Sequence, residues 1–599
     1  MPCPSDTLFR RRRTAGVLAL AVSGPLLVHS ATFAAPGDGP GAVWAQDAYR
    51  GGVHVVDGPD EDQATLDGSV FVDRDRDSLQ DPIERGLGGV TVSNGRDVTT
   101  TDTQGRYELP AFDNMTVFVT QPRGYQVPVD DDNVPQFFYH HLPAGSPKLR
   151  YGGLAPTGPL PDQVNFPVVS SPLTAAAQQN CVIGGDVQTY YQRQVEYARR
   201  GAFADLAERT DYAGCGVIFI GDVVGDDLSL YPQTRELSRM LNGPAWFLPG
   251  NHDLDFDAPS SEHSFDTFRA KLAPEYYSYD VGKVHVVALN TVDYPTATGY
   301  NGSLDQRQLE WLRSDIARVP QNRLIVVAAH IPLLDYADQG SRKHQVDEVR
   351  EIYQALEGRP AVTVAGHTHS IENLREGDSM AGWSQLFGVD RLPFTHLTSG
   401  AISGDWYSGR QLDEGYPAAI QRDGGRPGVL TLEIDDTDFR ERFTVRGEDP
   451  SYQMALGLNS PRYRIWYAEN LGNRGSAPEF PAPLQVARDE LAGTWLTSNF
   501  WMGSTGSTVQ VSIDDGKPME ATRTQPMQGE GQRVGAEWSD PVAVQEQLVH
   551  GGSLADRSMH LWRLPLPEDL ASGQHVAEVT ATDVYGRAYT ETIEFRVIG

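Results

Sequence analysis

Five short stretches each set metal-seeking side chains directly after an apolar run. "VIGGDVQ" supplies Asp186 and Gln188, "VIFIGDVVGDD" supplies Asp222, and "WFLPGNHD" supplies Asn251, His252 and Asp253. Further along, "VVAAHIPL" supplies His330 and "VTVAGHTH" supplies His367 and His369. Carboxylate and amide oxygens mixed with imidazole nitrogens suit divalent cations. Two such cations, about 3.5–4 Å apart, hold both the attacking and the leaving oxygen of an in-line displacement at phosphorus. Each stretch alone has an ordinary explanation: a single buried histidine is usually a satisfied core residue, and Gly-Asp at a strand end is usually a turn. Five of them in one chain, each closing an apolar run, make a shared cation centre the stronger explanation.

The elements that must carry these residues begin at about residue 171. Near-continuous apolar runs, "GVIFIG", "AWFLPG", "VHVVALN", "LIVVAAH" and "AVTVAG", read as strands buried on both faces. Stretches of helical spacing such as "RQVEYARRGAFADLAER", "LDQRQLEWLRSDIARV" and "DEVREIYQALEG" alternate with them. The expected architecture over 171–447 is α/β layered, a β-sandwich core flanked by helices, with chemistry where strands end in loops. "GVLTLEI" and "FRERFTV" are expected to complete its sheet. An all-β domain is expected before it, over 46–170, and a β-rich sandwich after it, over 448–599, reached through a connector containing Pro and Asn.

Within the first β domain, "DRDRDSLQDPIE" places Asp73, Asp75, Asp77, the Leu79 carbonyl, Asp81 and Glu84 at positions 1, 3, 5, 7, 9 and 12 of a calcium loop. Ser78 stands where such loops carry Gly, and strands rather than helices flank it. Crowded carboxylates repel unless a hard cation neutralises them, which favours structural calcium over a solvated acidic turn. In front of this domain, Arg10 to Arg13 and the apolar stretch Ala15 to Val28 read as a secretory signal over 1–45, cut after Ala34 or Ala45. That assigns the chain to the cell envelope or the exterior, by either the general or the twin-arginine route, with no membrane-spanning segment. Cys181 and Cys215 then face an oxidising compartment and form either a disulfide or two buried thiols. A formal charge of -31 argues against coating a nucleic-acid polymer but not against phosphorylated substrates. Nothing in the sequence sets the oligomeric state.

Residues of about 180–370, with all five blocks, resemble the calcineurin-like metallophosphoesterase family. The resemblance implies a first metal held by Asp186, Gln188, Asp222 and His369, and a second held by Asp222, which bridges, with Asn251, His330 and His367. It implies that His252 is no ligand but stands over the phosphoryl group, stabilising charge or protonating the leaving oxygen, and is oriented by Asp253. The implied chemistry is hydrolysis by a metal-bridging hydroxide without a phospho-enzyme. Gln188 departs from the usual histidine. An amide oxygen also coordinates a divalent cation, as the Asp-x-Gln of the ADP-ribose/CDP-alcohol diphosphatase branch implies, and it shifts preference toward Mn, Fe or Mg over Zn. The second block lacks the Arg-Gly that follows Asp in the protein-phosphatase branch, and its Asp226 either supports the site from behind or caps a helix.

The Asp-rich N-terminal segment resembles the B-type repeats of Gram-positive surface adhesins and the transthyretin-like domain preceding some secreted phosphoesterases. The loop "SGAISGDWYSG" and the tail resemble the C-terminal domain of members with that three-part layout. Trp406 and Tyr407 in this loop are expected either to stack on a base or sugar of the substrate or to pack on the neighbouring β domain. His140 and His141 lack ligand companions. The substrate classes left open are a phosphorylated small molecule and an envelope phosphodiester such as a teichoic acid or glycolipid headgroup. A non-catalytic extracellular binding protein is the rival outside enzymes, and it requires missing ligands.

Overall fold

The computed structural model describes residues 44, 47–59, 62–297 and 299–599, so the expected leader over 1–45 lies, Trp44 apart, outside the described residues. Two sheets carry the middle of the chain. Their strands, in chain order, are β1 (Gln178–Gly184), β2 (Val217–Ile220), β3 (Ala245–Leu248), β4 (Tyr277–Val281), β5 (Val284–Leu289) and β6 (Leu324–Ala329). They continue with β7 (Ala361–Ala365), β8 (Ile371–Leu374), β9 (Thr395–Ser399), β10 (Gly428–Asp435) and β11 (Asp438–Val445). One sheet runs β3-β2-β1-β10-β11 and the other β4-β5-β6-β7-β9-β8.

Parallel pairing of β1, β2 and β3, and of β5, β6, β7 and β9, makes the carboxyl ends within each sheet point one way. Every expected ligand leaves from such an end: Asp186 and Gln188 after β1, Asp222 after β2, Asn251 after β3, His330 after β6, and His367 and His369 after β7. The runs that announced these strands are buried at every position in β2, β3, β6 and β7, as strands covered on both faces must be. "GVLTLEI" and "FRERFTV" do complete the first sheet, but by antiparallel pairing of β10 with β1.

Covalent and apolar links tie these parts together. Cys181 in β1 and Cys215 just before β2 are bonded, with Cα atoms 5.1 Å apart, so the strands that launch Asp186 and Asp222 are stapled at the start of their pairing. The N-terminal strands Thr65–Val72, Met115–Val119 and Pro161–Ser170 place Val70, Val117, Phe166 and Val168 in the same apolar core as Val182, Val217, Val326 and Val364. Burying one such side chain contributes about 1.5–3 kcal/mol, so this first domain is welded to the middle one rather than strung beside it.

After residue 450 two further sheets face a separate core that includes Leu496, Val511, Val579 and Phe595. The expected strands are there as Thr508–Ile513, Gly573–Thr582 and Ala588–Ile598. Two helices, Pro461–Asn470 and Pro541–His550, were not anticipated. Their apolar residues do not gather on one stripe, but each has a legible start: Ser460-Pro461 and Asp540-Pro541, with the first side chain of each pair capping backbone N–H groups. Among the described residues no helix is long and apolar enough to cross a membrane.

One buried ion network joins β4, β5 and the helix Gln306–Ile316. His285 Nδ1 lies 2.8 Å from Asp280 Oδ1 and its Nε2 2.8 Å from Asp315 Oδ2. Burial pulls the His285 pKa down, but the Asp315 and Asp280 carboxylates outweigh it and hold it up to about 10. Held above its unfolded value of 6.5, the imidazolium contributes stability that is fully present below about pH 6.5 and is lost as pH climbs through about 10. His285→Gln is therefore expected to destabilise the protein by about 3 kcal/mol at pH 7 by leaving a buried carboxylate unpaired. Urea unfolding of both proteins at rising pH should show the difference shrinking through about pH 10.

Candidate metal centre

The turns that hold the expected ligands are bent in an unusual way. Asp186, Gln188, Asp222, His367 and His369 have φ of 44°, 43°, 48°, 69° and 48°, the left-handed region that side chains with a Cβ avoid. Each such residue costs roughly 1–2 kcal/mol, and the surroundings hold them there. Gln188 N–H donates to the Asp222 carbonyl at 2.7 Å, Ser403 N–H to the Asp186 carbonyl at 3.1 Å, and Tyr407 OH to the Val187 carbonyl at 2.7 Å. Two of the glycines beside the ligands are required by close approach: a Cβ on Gly250 would sit 2.2 Å from Asp222 Oδ1, and one on Gly366 2.5 Å from Asp186 Oδ2.

Asp222 stands at the centre of the group. Ligand atoms of Asp222, His330 and His367 all lie within 4.8 Å of one another. His330 Nε2 is 3.3 Å from Asp222 Oδ1 and 3.1 Å from Asn251 Oδ1, and His367 Nδ1 is 3.3 Å from His330 Nε2. On the other side, Gln188 Nε2 is 3.3 Å from Asp222 Oδ2, and His369 Nε2 is 3.5 Å from Asp186 Oδ1. His330 Nδ1–H donates to the Ile220 carbonyl at 2.9 Å and His369 Nδ1–H to the Gly404 carbonyl at 2.5 Å, so each turns its Nε2 toward the carboxylates, the atom that serves as a ligand once a cation takes the place of its proton.

Two properties of the chain fit a pair of cations here. Gln188 Oε1 is buried without a hydrogen-bond partner, a state that costs about 1–3 kcal/mol unless something electropositive meets it. The site is also short of positive charge. Burial pulls the His330 and His252 pKa values down, yet the Asp222 carboxylate, joined at His252 by Asp226, overrides it and raises both to about 9. The residues suit one ion among Asp186, Gln188, Asp222 and His369 and another among Asp222, Asn251, His330 and His367.

His252 lies beside this group, its backbone N–H on Asp222 Oδ1 at 2.8 Å and its side chain about a quarter exposed. Asp253 does not orient it, which corrects the expectation. Asp253 is fully buried and accepts from Gly250 N–H at 2.9 Å, Val223 N–H at 3.2 Å and Tyr231 OH at 2.9 Å, clamping the third block to the second. The orienting contact comes from Asp226, whose Oδ1 is 2.7 Å from His252 Nδ1. Helix capping falls to the next residue, Asp227, which accepts from Ser229 N–H.

Trp406 and Tyr407 separate. Trp406 stacks on the His369 ring with centroids 4.4 Å apart and remains 42% exposed, whereas Tyr407 is buried against Tyr197 and cannot meet a substrate. The loop carrying them is held from the C-terminal domain: Ser553 N–H donates to Asp405 Oδ2 at 2.9 Å, Gln547 Nε2 to the Gln421 carbonyl at 3.0 Å, and His560 Nε2 lies 3.0 Å from Asp423 Oδ2. Residues absent from the sequence expectation also reach the rim. Tyr190 packs edge-on to His252, Tyr300 edge-on to His367, and His344 Nδ1 lies 2.7 Å from His367 Nε2.

In the acidic N-terminal loop, Asp73, Asp75 and Glu84 offer oxygens within 4.8 Å of one another, while the exposed Asp77 and Asp81 carboxylates are outside that group and the Leu79 side chain is exposed. Tyr49 OH and the N–H groups of Arg76 and Ser78 already donate to Asp73. His140 is a structural residue bonded to Thr116 and the Arg269 carbonyl, and His141 is buried.

Residues 182–370 match the family described as Calcineurin-like phosphoesterase. Residues 74–151 match N terminal of Calcineurin-like phosphoesterase, and residues 396–589 match C terminal of Calcineurin-like phosphoesterase. Acid phosphatase type 7 of Homo sapiens is 23% identical over 161 residues, covering 25% of this chain and 33% of its own length. Acid phosphatase type 7 of Danio rerio is 31% identical over 102 residues, covering 15% of this chain and 21% of its own. The chain thus spans a third or less of the length of these relatives. The solved purple acid phosphatase PPD1 from yellow lupin (Lupinus luteus) seeds aligns at 13% identity with a TM-score of 0.32, over 60% of this chain and 67% of that one.

Gln188→Leu removes the orphaned acceptor and keeps most of the volume. It is expected to weaken the ion shared by Asp186 and His369 by at least about 10–100-fold, while the ion at His330 stays. Metal analysis after dialysis checks this, and Gln188→His should retain both ions with a stronger preference for zinc.

Proposed function

We propose that this chain, a hydrolase of the dinuclear calcineurin-like metallophosphoesterase class, cleaves phosphate esters at the centre formed by Asp186, Gln188, Asp222, Asn251, His330, His367 and His369. The observation that carries the proposal is the meeting of Asp222 with His330, His367 and Gln188, beside the Asp186–His369 pair, with an orphaned Gln188 oxygen among them. Bound cations supply Lewis acidity for attack of water on phosphorus. The chain's own residues do the rest. Asn251 and Asp222 would hold the cations, and the His252–Asp226 pair stands ready to donate a proton to the leaving oxygen. Asp226, hydrogen-bonded to its Nδ1, favours the charged form of that imidazole. Phosphate monoesters are the first substrates to test, as the names of the acid phosphatase relatives suggest. Trp406, exposed over His369, supports an aromatic or sugar leaving group stacked at the rim.

Two finer parts belong to the same proposal. The arginine run and apolar stretch at the front of the chain support export to the cell envelope or beyond, the compartment that the Cys181–Cys215 bond favours. The meeting of Asp73, Asp75 and Glu84 supports a hard structural cation such as calcium.

Asn251→Ala and His252→Ala test the centre. Both are expected to lose turnover of p-nitrophenyl phosphate, its bis-ester and nucleotide diphosphates by about 100-fold or more, with metal loss only in the first. Near-parental turnover by both variants on every ester would refute the assignment. Asp226→Asn removes a charge that raises the His252 pKa, so the alkaline fall of kcat/KM, where His252 loses its proton, is expected to move to lower pH. An unmoved limb would leave Asp226 without the orienting role.

A further inference from the structure

The metal-facing histidines do not share one kind of support. His330 and His369 give their Nδ1–H to backbone carbonyls, those of Ile220 and Gly404. Such acceptors cannot rotate away or change protonation. His367 is built the other way round. Its Nδ1 faces His330 and the centre, which leaves Nε2 as the ring's donor, and the group that meets Nε2 is the His344 Nδ1 at 2.7 Å. For His367 Nδ1 to offer a lone pair inward, Nε2 must carry the proton, and His344 Nδ1 must accept it.

His344 closes the short 3-10 turn Arg342–His344, in the excursion that leaves β6 with His330. That excursion is braced. Gln345, fully buried, donates from Nε2 to the Asp338 and Ser341 carbonyls at 3.1 Å each and accepts Asp335 N–H at 3.2 Å. Val346 N–H donates to the Pro332 carbonyl at 3.2 Å, and the backbone passes so near Gly302 that a Cβ there would lie 2.2 Å from the Gln345 carbonyl oxygen. The imidazole is thus delivered to His367 by a fixed piece of backbone, with the edge of Tyr300 on both rings.

We infer that His344 is a positioning residue which fixes His367 in its Nε2–H tautomer and thereby sets how tightly the ion at Asn251, His330 and His367 is held. The inference rests on the two-cation proposal and goes beyond it by naming the side chain that governs one ion and not the other. Loss of a partner behind a metal-ligating histidine weakens binding about 10–100-fold. The ion on the Gln188 side, whose histidine is anchored by a carbonyl, is untouched.

The test is Zn²⁺ binding, read by competition with a chromophoric chelator in the parent, His344→Phe and His344→Asn. Phenylalanine keeps the ring and removes the acceptor, while asparagine restores an acceptor near the Nδ1 position. The Gln188→Leu background isolates the His367 side. His344→Phe is expected to bind that ion about 10–100-fold more weakly, and His344→Asn to recover most of the affinity. Unchanged affinity in His344→Phe, or equal loss in both variants with unaltered unfolding temperature, would overturn the inference. Should His344→Phe fail to fold, His344→Ala against His344→Asn gives the same comparison. A parent that binds no Zn²⁺ would instead fault the two-cation proposal itself.

Discussion

The rest of the structure depends on one crowded carboxylate. Asp222 is buried, lies within reach of His330 and Gln188, and takes the backbone N–H of His252. A buried anion of this kind is tolerable only where positive charge or donors surround it. The protein arranges this at the ends of β2, β3 and β6, where strand direction delivers side chains to one rim. The left-handed turns at Asp186, Gln188, Asp222, His367 and His369 stand at this same rim, strain that the contacts around the carboxylate hold in place.

The first domain and the C-terminal domain both bear on this rim. Tyr151, from the N-terminal side, donates to the Asp226 carbonyl at 3.3 Å, next to the carboxylate that orients His252. From the other side, Ser553, Gln547 and His560 hold the loop whose Gly404 carbonyl receives His369. The flanking domains therefore act on the precision of the centre through the loops beside it, without supplying ligands.

The ligands were legible in the sequence because their types and their place after apolar runs are properties of single short stretches. Strands buried on both faces were legible for the same reason. What escaped depends on where loops go after they leave those stretches. Asp226, two residues past the apolar "VV", and His344, fourteen residues past His330, carry no local mark of their partners. Asp253 misled because adjacency in sequence to His252 suggested contact, while the turn sends its carboxylate inward to Gly250 and Tyr231. The helices Pro461–Asn470 and Pro541–His550 escaped because their apolar positions lack a stripe, though their Ser-Pro and Asp-Pro starts were readable.

The tether between Asp423 and His560 has a bearing on modularity. Similarity divides the chain near residue 396, yet the loop just beyond that point supplies the anchor of His369 and is itself gripped from residues past 540. The grip on the loop lies within one matched segment, but the loop's anchoring of His369 crosses its edge. A C-terminal segment exchanged at that boundary would bring with it a different frame for one ligand of the neighbouring segment.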